Sequence, residues 1–339
     1  MTLNRRTLLG GSLASLAIVA GSDRSKSQTP LADGYSTGKS GWNRPYDIQP
    51  DDSLFLWPHD ALKIPDGLAE EIIQRSDDPL ASDRIAQNIV RPRLDIFRPD
   101  KPNGAAMIIA PGGGYRYCVL DKEGYELARF LRDRGTTVYV LFYRLPADGW
   151  ANGKDVPLAD AQRAVRLVRS RANLDRINPA RVAFTGFSAG GHVAGSLLTR
   201  FDASVYDPVD IADAGPARPN ALVAVYPVVS MDPEIAHIGS RDRLIGSKPL
   251  SATTALYSPE RNVRKDMPPL FLLHAEDDAV VPVANSKRLH EAASNIGTPV
   301  EAHYFEQGGH GFGLMKTAGL PVAIWPELLW NWMDAQQLL

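Results

Sequence analysis

Arg181 to Thr185, a short apolar run, leads directly into Gly186-Phe187-Ser188-Ala189-Gly190-Gly191, and the chain continues through Val193, Ala194 and Leu197 at helical spacing. A strand that runs through a tight glycine-flanked turn into a helix puts one serine at the corner. Small neighbours let the backbone double back without a clash, and the hydroxyl is presented above the strand end. The helix N-terminus adds a partial positive charge there. This is strand–turn–helix G-x-S-x-G, and the context carries more weight than the pattern, because a chain with 28 glycines can produce the pattern by chance.

A second glycine-rich turn lies upstream. The apolar run Ala106 to Ala110 ends in Pro111-Gly112-Gly113-Gly114-Tyr115. Three glycines after a strand let backbone amides turn toward a ligand with no side chain in the way. Gly113 and Gly114, joined by Ala189 just after the serine, are the candidate donors of an oxyanion hole. A phosphate cradle would need a lysine and hydroxyl that this loop lacks.

A serine hydroxyl needs a neighbouring imidazole to take its proton. Of seven histidines, His310 stands in Gln307-Gly308-Gly309-His310-Gly311-Phe312-Gly313, just past a predicted strand near the C-terminus. His192, four residues past Ser188, is expected to face helix packing, and His274, at a strand end, to be structural. His59, His237, His290 and His303 have no supporting context. The orienting acid should end a strand between Ser188 and His310. Three adjacent carboxylates compete there, Glu276, Asp277 and Asp278, with Asp278 preferred, Asp277 in reserve and Glu276 third. The chain order serine, acid, histidine is that of α/β-hydrolases.

Outward from these turns, apolar β-branched runs recur at Arg93–Phe97, Thr137–Tyr143, Leu222–Val228, Leu270–His274 and Val300–Phe305. Several are continuous, as strands buried on both faces are. Helical spacing fills the gaps at Glu123–Arg134, Leu158–Ala172, Val283–Asn295 and Ala323–Gln336. The alternation predicts a mostly parallel central sheet with helices on both faces. Ser230 to Pro269 lacks strand periodicity and is a candidate cap or lid. Gly41 to Ser82 is expected to wrap the edge of the domain or the mouth of a pocket. The tryptophans of the last helix are expected to be core.

The 339 residues are 44% hydrophobic and 22% charged, with a net charge of −2. That is ordinary globular composition, and it gives a nucleic-acid partner no electrostatic support. Asn4-Arg5-Arg6-Thr7-Leu8-Leu9 precedes a short apolar stretch, Leu13 to Ala20, too short to span a bilayer. Residues 1–30 read as a twin-arginine-like export signal and the start of a tether, 31–50 as flexible tether, and 51–339 as the catalytic domain. The expected location is periplasmic or secreted, with no membrane anchor after signal removal. Cys118 is the sole cysteine, so no internal disulfide forms.

Taken together, the motifs resemble those of bacterial α/β-hydrolase carbohydrate esterases of the acetylxylan-esterase-like and feruloyl-esterase-like group. Pro111 to Tyr115 is similar to the group's oxyanion loop, with Pro111 where His is common. Tyr143-Arg144-Leu145 and Pro157-Leu158-Ala159-Asp160-Ala161 are similar to its scaffold motifs. Gly186 to His192 resembles its elbow, and Gly308 to Phe312 its histidine loop. His274 through Pro282 resembles H-G-x-x-D-x-x-V-P, with Ala275 in place of the glycine, which puts the acid on Asp278. The resemblance covers roughly Asp51 to Leu339. It implies the α/β-hydrolase fold and a serine esterase that works through an acyl-enzyme on acetyl esters of plant-type polysaccharides or oligosaccharides, with no cofactor and no metal. A prolyl-oligopeptidase-like peptidase and a catalytically inactive hydrolase-fold binding protein are the alternatives.

Overall fold

The computed structural model describes residues 49–78 and 82–339. Residues 1–48, which hold the stretch read above as an export signal and almost all of that read as a tether, lie outside the described residues. The strands are β1 Asp52–Phe55, β2 Glu71–Gln74, β3 Arg84–Gln87, β4 Arg93–Phe97, β5 Ala106–Ala110, β6 Cys118–Val119, β7 Thr137–Phe142, β8 Val182–Phe187, β9 Ala221–Val225, β10 Leu270–Ala275 and β11 Val300–Phe305. The helices are α1 Glu126–Arg132, α2 Val156–Ser170, α3 Ser188–Arg200, α4 Ile238–Ile245, α5 Ser251–Leu256, α6 Ala284–Asn295 and α7 Trp325–Ala335.

Eight strands form one sheet in the order β1-β4-β7-β5-β8-β9-β10-β11. From β7 to β11 every neighbouring pair is parallel, and β4 and β1 run antiparallel at one edge. This is the expected α/β-hydrolase architecture. Alternation along each strand splits the core in two. On β5, Ile108 faces the layer that holds Val165 of α2, Val193 and Leu197 of α3 and Leu289 of α6. Met107 and Ile109 face Leu127 and Leu131 of α1 and Trp325 and Leu329 of α7. Both faces are therefore apolar, which is why these strands read as unbroken hydrophobic runs.

Two of the motifs noted in the sequence meet across the first layer. Asp160 on α2 accepts from Arg144 at 2.6 Å and from the Trp57 indole at 2.7 Å, all three buried. This ties the chain before β2 to the sheet. Within the stretch 41–82, β1 extends the main sheet. β2 joins β3 and β6 in a small second sheet.

The boundaries differ where local chemistry intervenes. The run 222–228 stops as a strand at Val225, because Tyr226 has φ +36° and Pro227 follows. The expected helix over 123–134 is two pieces. A π-helical turn spans Asp121–Tyr125, with Tyr125 N–H donating to Leu120 O at 2.8 Å, and α1 follows. Residues 230–269 carry α4 and α5 and no strand. Among the described residues no helix is long and apolar enough to cross a membrane.

Candidate active site

Four strand ends meet along one rim of the sheet: β5 carries the triple-glycine loop, β8 the serine, β10 the acidic turn and β11 the histidine loop. Ser188 is the first residue of α3 and takes φ +51°, a left-handed conformation that costs a non-glycine residue energy. Its neighbours show why the turn is written in glycine. A Cβ on Gly186 would lie 2.1 Å from Gly190 O, and one on Gly190 would lie 2.1 Å from Ala110 O. The turn thus packs backbone against backbone, and only glycine fits at both places.

His310 reaches this corner. Its Nε2 lies 2.9 Å from Ser188 Oγ, and its Nδ1 lies 2.7 Å from Asp278 Oδ2. Asp278 accepts further bonds on Oδ1 from the amides of Val280 (2.9 Å) and Val281 (2.8 Å). Burial pushes this carboxyl upward, but hydrogen bonds from His274 and His310 and the amide of Val281 outweigh it. They hold the group well below the usual carboxylate range. An ionised Asp278 accepts from Nδ1–H, so in the neutral ring Nε2 is left to accept the serine proton.

The neighbours of Asp278 have separate duties. Asp277 accepts from Gly309 N–H at 2.7 Å and so pins the histidine loop. Glu276 pairs with Lys287 at 2.7 Å. His274 Nε2 lies 3.2 Å from Asp278 Oδ2 and 3.0 Å from Val281 O, both acceptors, so that nitrogen carries the proton. Its Nδ1 then accepts from Ser286 Oγ at 2.7 Å. His274 is a second donor to the same carboxylate oxygen that orients His310. His192 is buried between the Tyr115 hydroxyl and Tyr257 O, each at 2.7 Å, and burial lowers it to about 4. It ties Tyr115 to α3 and does not touch Ser188.

The triple-glycine loop runs beside the serine. A Cβ on Gly112 would lie 2.7 Å from Ser188 Cβ. Gly113 and Gly114 have φ of +131° and +64°. Among the described residues, the amides of Gly113, Gly114 and Ala189 have no protein acceptor. The loop is fastened from outside. Gly112 N–H donates to Glu123 at 2.9 Å, and Pro111 O accepts from the Tyr143 hydroxyl at 2.8 Å.

Three residues of this arrangement went unnoticed in the sequence. Glu123, buried in the π-helical turn, accepts from Gly112 N–H on one oxygen and from the Tyr226 hydroxyl at 3.1 Å on the other. That hydroxyl accepts from Gly313 N–H at 3.2 Å, and the Tyr226 ring packs edge-on against His310 with centroids 5.0 Å apart. Glu126 accepts from the amides of Leu314 and Met315 at 3.1 and 3.2 Å. Burial raises it to about 7 while those amides pull the other way. The π turn, which points Glu123 inward one residue before Gly124, carries no periodic signal that could have revealed it.

The pattern of the BD-FAE family matches residues 94–293, well over half of the chain. The chain belongs to the BD-FAE family. The matched span of this BD-FAE protein holds the triple-glycine loop, Ser188 and Asp278, and His310 follows it. It is 33% identical over 221 residues to an acetylxylan esterase of Xylanibacter ruminicola, covering 64% of this chain and 43% of the relative. It is 34% identical over 205 residues to endo-1,4-beta-xylanase B of Butyrivibrio fibrisolvens, covering 60% of this chain and 32% of the relative. The BD-FAE chain thus spans less than half the length of these two curated relatives. A solved structure, the acetyl ester-xyloside bifunctional hydrolase from Caldicellulosiruptor lactoaceticus, superposes with a TM-score of 0.69 at 31% identity. The match covers 87% of this chain and 99% of that one.

Proposed function

We propose that the protein is a serine carboxylic-ester hydrolase that removes acetyl groups from plant-type polysaccharides or oligosaccharides through an acyl-enzyme. One observation carries the reading: the continuous hydrogen-bonded relay from Ser188 Oγ through His310 to an ionised, buried Asp278. The similarity to an acetylxylan esterase and to an acetyl ester-xyloside hydrolase supports the acyl group and the type of alcohol.

In this mechanism His310 Nε2 takes the hydroxyl proton as Ser188 Oγ bonds to the acyl carbon, and the carbonyl π pair moves to oxygen. The amides of Gly113, Gly114 and Ala189 hold that oxyanion; one such donor contributes about 100- to 1000-fold. The imidazolium, steadied by Asp278, returns its proton to the departing sugar oxygen as the C–O bond breaks. Water, deprotonated by His310, then attacks the acyl-serine, and acetic acid leaves with Ser188 restored.

Ser188→Ala should remove acetate release from acetylated xylan to the background rate, with an unchanged circular dichroism spectrum. The wild type should be labelled by a fluorophosphonate probe and the variant should not. Full turnover by the folded variant would refute the assignment. A wild type that neither takes up the probe nor releases acetate would instead be a binding protein on a hydrolase fold.

A further inference from the structure

We propose that His237 selects the alcohol: its Nε2–H donates to a free oxygen of a hydroxylated alcohol next to the ester, so the site prefers sugar esters to simple ones. The inference rests on the hydrolase reading above and adds to it the residue that recognises the sugar.

His237 is the N-cap of α4, the first helix of the segment after β9. Ser240 N–H lies 3.3 Å from its Nδ1, and Ser240 Oγ lies 2.8 Å from the same atom. The Ser240 amide also donates to His237 O at 3.0 Å, and the share of its hydrogen aimed at Nδ1 favours the tautomer in which Nδ1 accepts and the proton of the neutral ring sits on Nε2. Burial, then the charges of His310 and Arg243, lower the ring's affinity for a second proton, and Asp278 opposes them more weakly. The cap therefore favours the neutral ring with its proton on Nε2.

The position of the ring gives this donor its meaning. A Cβ on Gly114 would lie 3.6 Å from His237 Cε1. The imidazole edge thus stands against the loop whose amides face the reacting carbonyl. Arg243 Nη1 donates to Gly114 O at 3.3 Å and to Gly239 O at 2.9 Å, clamping the start of α4 to that loop. Among the described residues, Nε2 of His237 has no acceptor. A half-buried donor, capped at Nδ1, set beside the Gly114 loop and without an acceptor among the described residues, matches an alcohol that carries oxygens of its own. The leaving group of p-nitrophenyl acetate offers no hydroxyl there. A site built around such a bond discriminates against an analogue lacking it.

Two substitutions separate recognition from capping. His237→Asn keeps a side-chain acceptor for Ser240 N–H but ends short of the Nε2 position. His237→Gln loses the favoured cap but carries an N–H at about the reach of Nε2. Initial rates would be compared on acetylated xylo-oligosaccharides and on p-nitrophenyl acetate. His237→Asn should lower kcat/KM about tenfold on the oligosaccharide and less than about twofold on the aryl ester. His237→Gln should recover most of the loss. Equal losses on both substrates would make His237 a general support of the site and overturn the inference, as would no loss on either. A wild type active on the aryl ester alone would overturn the inference while leaving intact the part of the reading that makes the protein a serine esterase. A wild type inactive on both would overturn the two together.

Discussion

The turn that carries Ser188 and the loop that carries His310 are held in opposite ways. The serine turn is held by close packing: Gly186 packs on Gly190, Gly190 on Ala110 O, and Gly191 on Pro227. The histidine loop has glycines at 309, 311 and 313, all at positive φ, and is open at its tip: a Cβ on Gly309 would meet nothing within 4 Å, while one on Gly313 would lie 2.4 Å from Lys122 O. Carboxylates from elsewhere in the chain hold it by accepting its amides or through a tyrosine: Asp277 on Gly309, Glu123 through Tyr226 on Gly313, and Glu126 on Leu314 and Met315. Ser188 is positioned mainly by steric exclusion and His310 mainly by long-range polar anchors. A substitution in the first region should damage the fold, and one in the second should damage alignment or its dependence on pH.

The largest effect is expected at the serine turn. Gly190→Ala places a methyl on backbone that cannot swing aside, so it should cost about 3 kcal/mol or more, read as a lower urea midpoint, with activity lost as well. A Gly190→Ala protein of normal stability would show that the turn is softer than its contacts imply. Glu126 gives the next largest effect. Its value in the folded chain, about 7, lies above its ordinary 4.5, so the stabilisation carried by its proton is complete below pH 4.5 and lost as pH rises through 7. Glu126→Gln should remove roughly 2–3 kcal/mol of that slope, flattening the melting temperature between pH 5 and 8 in calorimetry. An unaltered slope would move the pH dependence to another group. The smallest effect is expected at Glu123. Glu123→Gln keeps one acceptor and loses the other, so one of the two loops slackens. A fall of about tenfold in kcat on p-nitrophenyl acetate, with KM and melting temperature nearly constant, would fit alignment. A lower melting temperature with normal kcat would make Glu123 a structural tie only.

The same contrast explains what could be read from sequence. The serine turn is encoded within six consecutive residues, so Gly186 to Gly191 announces its conformation locally. The β5, β8 and β10 runs were legible because burial on both faces leaves an unbroken apolar signature. His310 was legible through its glycines and its place after a strand, and the structure brings it to Ser188 and Asp278. The anchors were not, because Glu123 lies 65 residues before Ser188 in a π turn with no repeat to reveal it, and a buried carboxylate reads in sequence like a solvated one. His274 was expected to be structural and is found donating to the oxygen that orients His310. His237 offered no pattern at all, since its setting depends on α4 folding against Gly114.

Ser188, Asp278 and His310 all stand at the carboxyl ends of the parallel strands, and this leaves the opposite rim of the sheet uninvolved. The turn before β11 is one such place: Gly297 is exposed, sits at φ +84°, and has open space around it. A covalent attachment on that turn, through the neighbouring exposed Asn295 replaced by cysteine, would leave the rim that carries Ser188 and His310 facing away from a solid support.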